Sequence, residues 1–243
     1  MTDKQQEQYS SERHRRYHES QLAEPKRSTV ALADFLRRKV DAPKTVLDVA
    51  CGGGANIYHL HRDVWPNAQW SGIDSAAQFF EEFGRPHLPA VHFVAGDMFK
   101  LGQWFAPQSI DVALSIQTLS WLSGYEEAVL ELMRVASRAV VITSLFCDFR
   151  IDCIRQVHLY DDAWIEAADS PYFYNVYSLP RFRRFCLANG AKDVIAEDFD
   201  IDIELPVPAD RGMGTYTVKA ADGRNLQFSG SLAMPWKMVL VVL

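Results

Sequence analysis

The chain has 243 residues, more than one typical domain and fewer than two, which points to a single domain with additions. Its 48% hydrophobic and 12% aromatic residues suffice for a sizeable core and exclude a disordered chain. A net charge of −6 gives no general attraction to nucleic acid or anionic membranes, and no apolar run nears the ~20 residues of a membrane span.

Residues 1–28 contain no Val, Ile, Phe or Trp, so an N-terminal arm is expected that stays out of the core. Tyr9, His14, Tyr17, His18 and Leu22 nevertheless recur near helical spacing within it. The domain begins at residue 29, where Val30, Leu32, Ala33, Phe35 and Leu36 predict a helix behind Ser28 or Thr29 as cap. Short apolar runs then alternate with amphipathic ones, the pattern of an α/β fold with a parallel sheet covered by helices. Strands are predicted at Thr45–Val49, Gln69–Ile73, Ala90–Val94, Asp111–Ser115 and Ala139–Ser144, and helices at Gly54–Asp63, Ser75–Phe83 and Tyr125–Ala136. The aromatic, irregular stretch 147–178 reads as a cap insertion, and a helix at Pro180–Asn189 is stopped by Gly190. Phe199, Ile201, Ile203 and Leu205 alternate with Asp200, Asp202 and Glu204, which predicts a strand with one buried face. A hairpin addition at 213–230 turns at Asp222-Gly223, and Lys237–Leu243 supplies a last buried strand, giving the sheet an antiparallel end.

Cys51, Cys147, Cys153 and Cys186 show no C-x-x-C spacing, which suits a reducing, cytoplasmic setting. Cys147, Cys153 and His158 lack a tight ligand pair and a fourth ligand, so no metal site is expected.

The strongest signal is TVLDVACGGGANIYHL, residues 45–60, where a buried strand runs into a glycine-rich turn and then a helix. Such a turn lets the backbone approach a ligand, and the helix start offers unpaired N–H groups, which implies a nucleotide-bearing molecule. A dinucleotide fingerprint starting at Gly52 would need glycine where Ile57 stands, and no Gly-Lys-Ser/Thr ending follows for a phosphate loop.

Asp48 followed by Ala50, Gly52 and Gly54 resembles the first motif of the class I S-adenosylmethionine-dependent methyltransferases, with Ala50 standing where many members have glycine. The resemblance continues in register: Asp74 and Ser75 end the second strand, Gly96, Asp97 and Met98 follow the third, and Ser115 and Ile116 end the fourth. It implies a Rossmann-like, doubly wound sheet of seven strands and adenosylmethionine as cofactor. Asp48, Ala50, Cys51, Gly52 and Gly54 would then form the cofactor loop. Asp74 would take the ribose hydroxyls, Asp97 the adenine amine, Met98 the ring, and Ser115 and Ile116 the methionine end.

Methyl transfer asks mainly for alignment and exclusion of water, and a hydroxyl acceptor adds the need for a base. His158, beside Tyr160, Asp161 and Asp162 in the insertion, is the expected base, with His14 and His18 available if the arm closes as a lid. Gln117, Trp121, Tyr174 and Asn175 are the expected acceptor contacts, and Lys26-Arg27 before the first helix could face the cofactor carboxylate. This mix favours O-methylation of a polar small molecule such as a sugar or secondary metabolite. N-methylation of a small amine, or a non-catalytic adenosylmethionine-binding scaffold, are the alternatives. The expected partner is a small-molecule acceptor, with homodimer formation left open and neither nucleic acid nor membrane expected.

Overall fold

The computed structural model describes residues 12–160, 165, 171–209 and 214–243. Tyr9, Asp161, Asp162 and the side chain of His14 lie outside what it describes. Two helices open the chain, α1 (Glu12–Ala23) and α2 (Arg27–Lys39). Then follow β1 (Thr45–Val49), α3 (Ala55–Asp63), β2 (Gln69–Asp74), α4 (77–87, loosened into a π-turn at Phe80–Gly84), β3 (His92–Ala95), β4 (Ile110–Ile116), α5 (Glu126–Val135) and β5 (Ala136–Cys147). After the insertion come α6 (Leu179–Ala188), β6 (Asp193–Asp198), the hairpin β7 (Thr215–Lys219) and β8 (Asn225–Ser229), and β9 (Trp236–Val242).

The main sheet runs in the order β3-β2-β1-β4-β5-β9-β6, and the two-residue strand Tyr177–Ser178 pairs with the end of β5. β1 lies parallel to both β2 and β4, while β9 runs antiparallel to β5 and β6, pairing Val239 with Ile142 and Ala196. This is the doubly wound arrangement expected from the sequence, with the order reversing beside β1. Alternation along each strand feeds two cores. Leu47, Val49, Ile142 and Val239 pack under α5 and α6, with Leu132 and Phe182. Val46, Val112, Val141 and Leu240 pack under α2 and α3, with Phe35, Leu36, Ile57 and Leu60. A parallel sheet buried on both faces explains why its strands read as unbroken apolar runs.

The structure differs from the sequence expectation in three places. The strand expected at Phe199–Leu205 is instead β6, immediately before it, and 199–205 bends at Asp202 and Ile203 without joining a sheet. Its alternation persists: Ile201 is buried and Phe199, Ile203 and Leu205 half-buried, while Asp200, Asp202 and Glu204 face solvent. Second, α1 is not excluded from the core, because Leu22 is buried against Ala76, Phe79 and Phe83 of the α4 segment. Third, the hairpin is one strand richer than expected, Leu232–Ala233 adding to β8 to give a small three-stranded sheet.

Candidate active site

The glycine turn between β1 and α3 is built from three residues in the left-handed region, Ala50 (φ 64°), Gly52 (φ 54°) and Gly54 (φ 77°). Left-handed backbone costs an L-residue roughly 1–2 kcal/mol, so alanine at 50 is tolerated and two glycines carry the rest. The turn is tied to β2: Ala50 and Cys51 donate their N–H groups to the Ile73 carbonyl at 2.8 and 3.2 Å. Gly52 donates to Asp74 Oδ2 at 2.7 Å, and Ala76 donates to Asp74 Oδ1 at 2.8 Å. Asp74 therefore fixes the loop while its carboxylate keeps further lone pairs for a ligand.

Beneath the turn, Asp48 is 1% exposed and neither oxygen has a hydrogen-bond partner among the described residues. Burial, with the nearby Asp74 charge adding to it, pushes its carboxyl up to about 8. The same causes, with Asp48 itself contributing, drive the buried Cys51 thiol well above its ordinary value, so it is a packing group and no nucleophile.

A cleft of about 720 Å³ opens over the turn. At its loop end lie Cys51, Gly52, Gly53 and Asn56, roofed by Tyr17, His18 and Gln21 of α1. The His18 ring is stacked on Phe83 at 5.1 Å and packs on Phe79 at 4.5 Å, and His59 bonds the Gln21 carbonyl at 2.8 Å. Midway, Lys26, Arg27 and Ser28 at the start of α2 face Ile116 and Gln117 from β4. Gln117, at φ 59°, donates its side-chain amide to Ser28 Oγ at 3.1 Å, and Lys26 donates to the Tyr17 hydroxyl at 2.7 Å. The far end is walled by Phe199, Ile201, Ile203 and Leu205 on one side and by Met234, Trp236 and the β8 residues Gln227 and Ser229 on others. Trp121 stands at its edge, 4.8 Å from the ring of Tyr174 and 5.1 Å from that of Tyr172.

Of the residues singled out from the sequence, Ala50, Cys51, Gly52, Ile116, Gln117, Trp121 and Tyr174 line this cleft. Gly54 caps the start of α3 beside it. Ser75, Gly96, Asp97 and Met98 follow β2 and β3 and do not line it. Asp97 caps the turn Met98–Gln103 by accepting from Phe99 at 2.9 Å, and Met98 packs into the core. Gly96 has a packing reason of its own, since a Cβ there would meet Ile73 and Trp104 within 2.8 Å. Ser115 points away into the sheet interior, fully buried, because successive strand residues face opposite sides.

Two expectations are corrected. Asn175 does not reach the cleft: fully buried, it accepts from the Arg155 N–H at 2.8 Å and donates to the Leu122 carbonyl at 2.7 Å and the Tyr177 hydroxyl at 3.1 Å. Its amide is consumed in tying the insertion to the turn after β4. His158 is solvent-exposed at the end of the short Gln156–Val157 ladder, and the cleft is lined without it. Among the described residues, the histidine that does line the cleft is His18. Sequence reasoning missed Phe199–Leu205, Gln227, Ser229, Met234 and Trp236 as cleft residues; the alternation at 199–205 was the available signal, and it was assigned to a strand.

A family model described as a methyltransferase domain matches residues 46–138. Together with the sheet order and the turn, this identifies the stretch as a class I S-adenosylmethionine-dependent methyltransferase domain. The chain is 28% identical over 114 residues to trans-aconitate 2-methyltransferase of Acidovorax ebreus, covering 47% of this chain and 42% of that protein. It is 31% identical over 114 residues to phthiotriol/phenolphthiotriol dimycocerosates methyltransferase of Mycobacterium tuberculosis, covering 46% and 41%. The match thus spans about two fifths of the length of either relative. Among solved structures, magnesium protoporphyrin IX methyltransferase from Synechocystis with bound SAH aligns over 88% of this chain and 81% of its own, at TM-score 0.54 and 11% identity. A putative methyltransferase of Haloferax volcanii, in complex with the activator Trm112, aligns over 88% and 87% at TM-score 0.56 and 14% identity. At such identities the likeness is one of fold. Among the described residues, no helix is long and apolar enough to cross a membrane.

Proposed function

We propose that the chain transfers the methyl group of adenosylmethionine to an oxygen of a small molecule held in the cleft. The observation that carries this is the continuity of the cleft, from the backbone at Gly52 and Gly53 to a far end able to enclose a second molecule. Its volume lies within the range of small-molecule sites.

The residues present fit the cofactor. Asp74, already ordered by two backbone N–H groups, suits the ribose hydroxyls, and the exposed Ser75 with Gly96 and Asp97 suits the adenine side. Lys26 suits the carboxylate of the methionine end, and Asp48 lies buried and unpartnered beneath the loop. Bound adenosylmethionine supplies an activated methyl group on a sulfonium. The chain's own task is then alignment and drying. α1 roofs the loop end with His18 and Tyr17, and Ile116, Trp121 and Tyr174 shield the middle. Burial pushes the Tyr174 phenol upward, with Tyr172 adding to the effect, which makes it a hydrogen-bond donor and not a base.

Calorimetric titration with adenosylmethionine, followed by incubation with methyl-labelled cofactor and small-molecule extract, tests this reading. Saturable binding and a labelled product heavier by one methylene group are expected. Binding with no transfer to any small molecule would leave a scaffold, and no binding would overturn the reading altogether.

A further inference from the structure

The two ends of the cleft differ in chemistry. Among the described residues the far end carries no charge and is largely apolar: Phe199, Ile201, Ile203 and Leu205 come from one segment, and the polar groups beside them, Thr215, Gln227 and Ser229, are neutral. Among the described residues no Asp or Glu lines any part of the cleft, although the chain as a whole carries 31 of them. Among the described residues, the fully charged members of its lining are the cations Lys26 and Arg27. Arg27 lies 3.5 Å from Asp202 of the 199–205 segment, an ion pair with both side chains more than half exposed and so worth little, which leaves the guanidinium able to exchange that partner for an anionic group in the cleft. The histidine of the lining is held at the loop end against Phe79 and Phe83, away from the apolar wall.

A sugar would set much of its hydroxyl surface against Phe199, Ile201, Ile203 and Leu205, which offer no hydrogen bonds, with Thr215, Gln227 and Ser229 as the neutral partners beside them, at a cost for each group left unpaired. An amine would arrive as a cation beside two like charges, Lys26 and Arg27, and would have to compete with Arg27 for Asp202. An aliphatic alcohol would need a base at the far end, and none stands there among the described residues.

From this, and resting on the methyl-transfer reading above, we propose that the acceptor is an apolar carboxylic acid, its body against the 199–205 wall and its carboxylate toward Arg27. A carboxylate is a nucleophile without losing a proton. One of its oxygens forms the bond to the methyl carbon as the carbon–sulfur bond breaks and the electron pair stays on sulfur, giving a methyl ester and S-adenosylhomocysteine.

The test is a panel of cinnamate, octanoate, cinnamyl alcohol, cinnamylamine and gluconate, offered to the full chain with methyl-labelled adenosylmethionine. Binding of each compound to the protein saturated with S-adenosylhomocysteine is measured in parallel by calorimetry. The expected result is binding and label transfer with cinnamate or octanoate, the label being released as methanol on alkaline treatment, and neither with the other three. Leu205→Asp and Arg27→Gln should each raise KM for the acid tenfold or more while the Kd for adenosylmethionine stays within about twofold. Transfer to the alcohol, amine or gluconate in preference to the acids overturns the proposal, as does failure of both acids to bind. In either case intact cofactor binding keeps the methyltransferase reading standing, whereas loss of cofactor binding by the unaltered chain overturns both.

Discussion

His18 lies against the backbone of Gly53 so closely that a Cβ on that glycine would come within 2.8 Å of the imidazole Nδ1 and 3.4 Å of Phe83. The contact joins α1, which the sequence left as an arm, to the most recognisable turn of the fold. Because the ring is packed on Phe79 and Phe83 it cannot swing aside freely. Gly53→Ala should therefore displace α1 and destabilise the protein by about 1–3 kcal/mol, the usual cost of overpacking. His18→Ala in the same chain should recover most of the loss. A double-mutant cycle by chemical denaturation measures the coupling, and additive effects would show that the two residues do not share this contact.

Asp74 spends one lone pair of each oxygen on the loop and has the others for a ligand. Asp74→Ala should weaken adenosylmethionine binding by about 2–4 kcal/mol, since it removes charge-assisted bonds to ligand and loop together. Calorimetry on the folded variant checks this, and an affinity within twofold of the parent would remove Asp74 from the site.

The cofactor turn was legible because its signals are local: a strand, three left-handed positions and a helix start within about ten residues, followed by an acid at the end of the next strand. Those constraints act over short stretches of chain and leave a pattern. The far end of the cleft was not legible because it is assembled from 199–205, β8 and the residues around Met234, segments that meet only in the fold. Phe199–Leu205 had the cleaner alternation, whereas β6 reads Asp-Val-Ile-Ala-Glu-Asp and was passed over. Its place at the sheet edge, hydrogen-bonded only to β9 in the main sheet, lets charged residues stand along it. Leu22 was one apolar residue in a polar segment, and nothing in its neighbours in sequence reveals the pocket at Ala76, Phe79 and Phe83.

Asp48 makes stability depend on pH in the direction opposite to a paired carboxylate. Its folded value of about 8 lies above its ordinary value of 3.8, so the native state holds a proton that the unfolded chain releases between these limits. The stabilising difference is fully present below about pH 4 and is lost as pH rises toward 8. Asp48→Asn, which keeps the shape without the charge, should raise the melting temperature more at pH 8 than at pH 5. Thermal unfolding across pH 4–9 is the measurement, and equal shifts at both ends would place the charge elsewhere.

Asn175 and His158 should separate structure from chemistry. Asn175→Ala strips partners from the Arg155 N–H, the Leu122 carbonyl and the Tyr177 hydroxyl, and should cost about 2–4 kcal/mol in denaturant unfolding. His158→Gln, at an exposed position outside the cleft lining, should change turnover less than threefold with an unaltered pH profile. A loss of 100-fold or more, the scale of general base catalysis, would return His158 to the reaction.

α1 packs on both the loop at Gly52 and Gly53 and the α4 residues Phe79 and Phe83. Because His18, Tyr17 and Gln21 line the cleft beside the Gly52–Gly53 loop, α1 is expected to act as a lid hinged near Pro25. Leu22 docks it together with the His18 ring and the His59 bond to the Gln21 carbonyl, whereas the ion pair of Arg15 with Glu82 at 3.1 Å is about half-exposed and worth little. Leu22→Asp should undock the helix while leaving the two main cores intact, so the melting temperature changes little. Hydrogen exchange at 15–23 should rise to near the unprotected rate, adenosylmethionine should dissociate faster, and turnover should fall further than cofactor affinity because water then reaches the loop end of the cleft. In the parent chain the same amides should exchange more slowly once adenosylmethionine is bound. Equal exchange with and without the cofactor, together with full turnover in Leu22→Asp, would make α1 a fixed ornament of the fold and assign the exclusion of water to the far wall alone.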